Sequence, residues 1–150
     1  MVQAQTEVVN WKPSLATTSA MDEANEAVVV AVNVARVNAV NGEGPRLIVI
    51  EGQATSGKTT ILRRLRDLWG VPLLSARDTV PYMVKVSSGQ LAALVDEIDR
   101  GRNMWHGLRR LLFAPVFRGV LVVTCEVRPT WLDTVEGGYV LVKSIPAGGA

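Results

Sequence analysis

The run Gly52-Gln53-Ala54-Thr55-Ser56-Gly57-Lys58-Thr59 has a glycine, four residues, then Gly-Lys-Thr, a spacing suited to cradling phosphates. Gly52 and Gly57 let the backbone turn tightly and approach an anion closely. Successive amide N–H groups and a helix N-terminus then face the negative charge. Lys58 supplies a point charge for the β and γ oxygens, and the Thr59 hydroxyl supplies a ligand for magnesium. With Thr60, these residues form the predicted site for ATP and Mg2+, in which Gln53, Ala54 and Thr55 occupy variable positions that say little about substrate. The plainer alternative is a Gly/Ser-rich turn with a chance lysine cap.

Magnesium held by phosphates needs a protein carboxylate near the loop threonine, directly or through water. Asp96-Glu97, at the end of the apolar run Leu91–Val95, is the best-placed pair. Asp96 is the predicted metal ligand and Glu97 the group that polarises the attacking water, with Asp99 in reserve. Alternatively, these acids line the wet face of a helix. Thr124 interrupts an otherwise apolar run and is assigned a hydrogen bond to the attacking water or γ-phosphate, or else to a backbone carbonyl. Lys58, Glu97 and Thr124 are thus the predicted catalytic groups. Glu126 and Arg128 follow at what would be the carboxyl end of a strand, where open α/β sheets bind ligands. Arg100, Arg102, Arg109, Arg110 and Arg128 are candidates for a trans-acting arginine or for ordinary surface charge.

The elements that must position these groups read unevenly. Leu47–Ile50 is a compact β-branched run fitting a buried strand. The loop follows it directly. Thr59–Trp69 places Ile61, Leu62, Leu65, Leu68 and Trp69 on one helical face, with arginines largely opposite, and Gly70 ends the helix. Val71–Leu74 is a second strand. A helix over Asp22–Val40 is predicted behind Ser19, although Val28–Val30 would equally suit a strand. Leu91, Leu94, Val95 and Ile98 have helical spacing behind a Ser87-to-Gln90 capping box, whereas the metal chemistry asks for a strand at Leu91–Val95. Both readings stand. Met104–Phe113 is a helix with Met104, Trp105, Leu108, Leu111 and Leu112 inward, terminated before Pro115. Val120–Cys125 and Tyr139–Ile145 are strands, joined through Trp131–Val135. Tyr82–Val86 is a strand or part of a connection. Residues 1–20 read as a flexible lead, with Trp11 packing back on the domain, residues 21–145 as one nucleotide-binding domain, and 146–150 as a tail.

Composition sets the limits. A chain of 150 residues suffices for one domain with a real core. With 16 Lys and Arg against 14 Asp and Glu, a formal charge of +2 gives nucleic acid or membrane binding little general support. Arg63, Arg64 and Arg66 nevertheless gather positive charge locally. The single cysteine, Cys125, excludes an internal disulfide and reads as a buried thiol. The single histidine, His106, gives a zinc site no support. The stretch Ala27–Val40 is interrupted by polar residues and falls short of the roughly 20 needed to cross a bilayer; a cytoplasmic protein is expected.

Taken together, Leu47–Thr60, Val95-Asp96-Glu97-Ile98-Asp99-Arg100, Leu108-Arg109-Arg110-Leu111 and Val120–Thr124 resemble an AAA-type ATPase core, a P-loop NTPase. The closest flavour is that of the helper ATPases of DNA transposition and related phage proteins. The resemblance implies a three-layer α/β fold with a mainly parallel sheet, here reduced in size and lacking a C-terminal helical lid. It implies Gly52–Thr59 as the first nucleotide motif, Asp96 and Glu97 as the second, and Thr124 as the first sensor. ATP hydrolysis, self-assembly, and action on DNA or a protein partner are the implied activities. A competing resemblance, through Ile50-Glu51-Gly52 and Gly57–Leu65, is to nucleoside and nucleotide kinases, in which Asp99-Arg100 would handle the phosphoryl acceptor. A third reading is a nucleotide-binding module that regulates a partner without hydrolysis, with Trp11, Trp105 or Trp131 at the contact surface.

Overall fold

The computed structural model describes residues 8–9, 18–53, 57–75, 92–100, 104–113 and 119–144. Expectations for Trp11, for Ala54, Thr55 and Ser56, for the stretch 76–91, for Arg102, Pro115 and the tail 145–150 lie outside these residues. So does the packing predicted for the side chains of Met104 and Trp105.

Apolar runs without alternation become strands covered on both faces. The strands are β1 (Val8–Val9), β2 (Leu47–Glu51), β3 (Leu73–Ser75), β4 (Ala92–Asp96), β5 (Val120–Cys125) and β6 (Val140–Lys143). They form one sheet in the order β1-β6-β2-β5-β4-β3, and every pairing is parallel. β5 therefore lies between the strand that leads into the glycine-rich loop and the strand that ends in Asp96. Leu47 to Glu51 pair in register with Leu121 to Cys125.

Helices cover both faces. Alternate strand residues Ile48, Ile50, Leu94 and Val122 join Val28, Val32, Ile61, Leu62 and Leu65 from α1 (Thr18–Val40) and α2 (Lys58–Trp69). The intervening residues Val49, Val95, Leu121 and Val123 meet Leu108, Leu111 and Leu112 of α3 (Met104–Phe113), together with Leu132 and Tyr139. The molecule is an α/β domain with a parallel sheet between helical layers. Since α2 leaves β2 on one face while the connections after β4 and β5 leave on the other, the carboxyl ends of β2 and β5 flank a crevice. In open α/β sheets that is where ligands bind.

Several expectations are corrected. The segment expected to be a flexible lead contributes β1, because two β-branched residues extend the free edge of β6, pairing Val8 with Leu141. The helix predicted from Asp22 starts at Thr18, since Ala20 and Met21 are good helix formers and propagate it. Val28–Val30 is helical. Leu68, predicted inward, is 60% exposed. The last turn of α2 is covered through Trp69 instead: its indole N–H donates to Asn33 Oδ1 at 2.7 Å, and the Arg36 guanidinium lies 4.4 Å from the ring centroid, a cation–π distance. Arg64 pairs with Glu26, so part of the arginine cluster is spent joining α2 to α1. Gly70 takes φ +64° and donates its N–H to Arg66 O at 2.8 Å, closing α2 as a left-handed cap. Among the described residues no helix is long and apolar enough to cross a membrane.

Candidate functional site

Parallel strands bring their carboxyl ends to one edge, and there β2 and β5 end on the paired Glu51 and Cys125, while β4 ends on Asp96. The Gly52 N–H donates to Cys125 O at 3.1 Å, which anchors the root of the loop to β5. Gly57 precedes α2 with φ +83°, a left-handed conformation open to glycine without a steric penalty. It is followed by Lys58 as the first helical residue. Lys58 is 7% exposed. Its ammonium donates to the carbonyls of Gly52 (2.5 Å) and Gln53 (2.6 Å), which satisfies the buried charge within the loop itself. Ala54, Thr55 and Ser56 lie outside the described residues.

The segment at 92–96 is a strand, so the alternative of a surface helix does not hold there. Its end brings two distant threonines to one carboxylate. Thr59 Oγ1 donates to Asp96 Oδ2 at 2.9 Å, and Thr124 Oγ1 donates to Asp96 Oδ1 at 2.5 Å. The Glu97 N–H in turn donates to Thr124 Oγ1 at 2.9 Å. Glu97 has φ +57° and is the only non-glycine residue with a left-handed backbone among those described. Such residues cost on the order of 1–3 kcal/mol and cluster at functional sites. Gly57, Lys58, Thr59, Thr60, Asp96, Glu97, Asp99 and Glu126 line a cleft of about 210 Å³.

Thr124 is wholly buried, and its hydroxyl is engaged by Asp96 and the Glu97 amide. It lies one strand inward of the loop, where its nearest polar neighbours are Asp96 and the Glu97 amide. Asp99, the reserve metal ligand, accepts the backbone N–H groups of Glu126 (3.2 Å) and Val127 (3.1 Å) through Oδ2, capping the chain as it leaves β5. Arg128 is held within the chain. Its Nε donates to Glu51 Oε2 at 2.8 Å and its Nη1 to Tyr139 Oη at 3.3 Å. Arg109 and Arg110 are exposed on α3.

Cys125 is buried, and that burial, reinforced by the carboxylates of Asp99 and Glu51, pushes its thiol up to about 12, so it stays protonated and unreactive. The clamp of Arg128 on Glu51 and the strained backbone at Glu97 carry no local sequence signal. A larger concavity of about 570 Å³ lies at the opposite end of the strands, against Gly42–Leu47 and Val135–Gly138. Among the described residues no group of three or more His, Cys, Asp or Glu side chains is placed to hold a metal ion. Of the groups that line the cleft, the Thr59 hydroxyl and the Asp96 carboxylate it touches are of the donor type suited to magnesium, which takes most of its ligands from phosphate and water. No family model matches the chain, and no curated protein matches it in sequence.

Proposed function

We propose that this domain binds magnesium–ATP at the Gly52–Thr59 loop and hydrolyses it, on a P-loop NTPase fold of the AAA type. The observation that carries the reading is the 2.9 Å contact between Thr59 and Asp96. A threonine that gives its proton to a carboxylate keeps oxygen lone pairs free for a cation. Thr59 and Asp96 would hold the metal together, the carboxylate directly or through water, and Asp96 would add negative charge beside it. Magnesium held there would offset the charge of the phosphate oxygens.

The chain's own groups have separate tasks. Loop amides and the N-terminus of α2 receive the phosphates. Lys58 exchanges the carbonyls of Gly52 and Gln53 for phosphate oxygens. Glu97, exposed at the cleft, accepts the proton of a water attacking the γ-phosphate. Because the two carboxylates occupy consecutive positions, metal support and water activation come from one strand end.

Phosphate release measured without any added nucleoside or nucleotide tests hydrolysis against the kinase-like alternative. Acceptor-independent release supports the reading, and release that appears only with an acceptor contradicts it. Steady binding with no turnover would instead identify a regulatory module. A narrower prediction concerns the metal. Thr59→Val keeps the shape but loses the hydroxyl, and magnesium stimulation of turnover should fall roughly 10–100-fold, the usual effect of losing a group beside a metal. Magnesium titration of phosphate release in the two proteins measures it, and an unchanged magnesium requirement would remove Thr59 from the metal site.

A further inference from the structure

We infer that Thr124 is a positioning residue: its buried hydroxyl holds the turn that delivers both Asp96 and Glu97 to one cleft. The inference rests on the magnesium–nucleotide reading for its consequences, but its geometry stands independently. Successive residues of an extended strand point to opposite faces. Asp96 ends β4, and Glu97 follows it, yet both line the same cleft. The left-handed backbone at Glu97, φ +57°, is the break in extension that lets consecutive side chains converge.

One hydroxyl stabilises that break. Thr124 has a single proton and two lone pairs to offer. The proton goes to Asp96 Oδ1, and a lone pair receives the Glu97 N–H. Thr59 holds the other Asp96 oxygen, so threonines from two different elements fix the plane of the carboxylate. Thr124 has no exposed surface, and both of its hydrogen-bond partners belong to residues that line the cleft. It acts through Asp96 and Glu97. Its place on β5, between β2 and β4, is what lets it reach both from behind.

The test compares Thr124→Val, which has the same shape without the hydroxyl, with Thr124→Ser, which keeps the hydroxyl. In nucleotide-free protein, hydrogen exchange of the Glu97 amide should accelerate roughly 3- to 10-fold in Thr124→Val, the factor set by losing one ordinary hydrogen bond, and stay near wild type in Thr124→Ser. Turnover should fall ~10–100-fold in Thr124→Val with a raised magnesium requirement. Affinity for ATP in excess chelator should be unchanged, which a general loss of folding would not produce, and Thr124→Ser should restore turnover. A Glu97 amide that exchanges at the wild-type rate in Thr124→Val overturns the inference, and so does a Thr124→Ser protein as impaired as Thr124→Val. If wild-type protein releases no phosphate while the exchange results hold, the hydrolysis reading fails and the assignment of Thr124 survives.

Discussion

Lys58→Ala is expected to weaken ATP binding at least ~100-fold. Opposite unit charges about 4 Å apart at a partly buried site attract by about 4 kcal/mol at an effective dielectric of 20, and a factor of 100 needs only about 2.7 kcal/mol of it. Lys58 is well placed to deliver that energy, because it is almost fully buried and its ammonium is already dehydrated against the Gly52 and Gln53 carbonyls. Exchanging those carbonyls for phosphate oxygens exchanges dipoles for full charges. Titration with a fluorescent ATP analogue measures the loss, and thermal unfolding of both proteins separates it from a folding defect. ATP affinity within threefold of wild type would remove Lys58 from the site.

Glu97→Gln should separate holding from hydrolysing. Glutamine keeps the backbone amide that Thr124 accepts and the length of the side chain, but cannot take a proton. Affinity for magnesium–ATP should stay within about threefold while turnover falls ~10²–10⁴-fold, the range for losing a general base. Single-turnover phosphate release alongside equilibrium binding reads both quantities, and wild-type turnover in Glu97→Gln would exclude the role. Glu97→Gly adds a second arm. Glycine accepts φ +57° without the steric cost an L-residue bears, which is roughly 1–2 kcal/mol. That variant should unfold at higher urea concentration than wild type while releasing no phosphate. A lower midpoint would show that the left-handed backbone at Glu97 stores no strain.

Legibility followed the range of the interaction. The step from β2 to α2 around Gly52 and Gly57 was legible because its requirements are local: an apolar run, glycines that allow a tight turn, and an amphipathic helix after them. β2 and β5 were equally plain, since a central parallel strand is apolar throughout. That same property hid β4. A strand buried on both faces loses its period of two, so Leu94, Val95 and Ile98 also fit a helix. α1 was blurred for the related reason that Val28, Val29 and Val32 are buried while Val30, Val34 and Val37 on the other side are more than half exposed. Helix formers at Ala20 and Met21 carried its start past the expected cap at Ser19.

The rest depends on which strands become neighbours. Thr124 and Asp96 are 28 residues apart, and Arg128 and Glu51 are 77 apart; only the insertion of β5 between β2 and β4 brings either pair together. Thr124 drew attention as the polar residue in an apolar run, but its partners could not be read from spacing. The left-handed backbone at Glu97 was invisible, because glutamate has no preference for it and only the hydrogen bond from its amide to Thr124 reveals why it is tolerated.

The central claim is that a magnesium–ATP complex sits between the Gly52–Thr59 loop and Asp96. Calorimetric titration of the wild-type chain with ATP, once with magnesium and once with excess chelator, tests it directly. The expected result is one saturable site per chain whose affinity falls ~10-fold or more when magnesium is removed, in line with the loss of a metal held by Thr59 and Asp96. No saturable binding of ATP with magnesium present, up to about 1 mM ligand where affinities correspond to only about 4 kcal/mol, would contradict it.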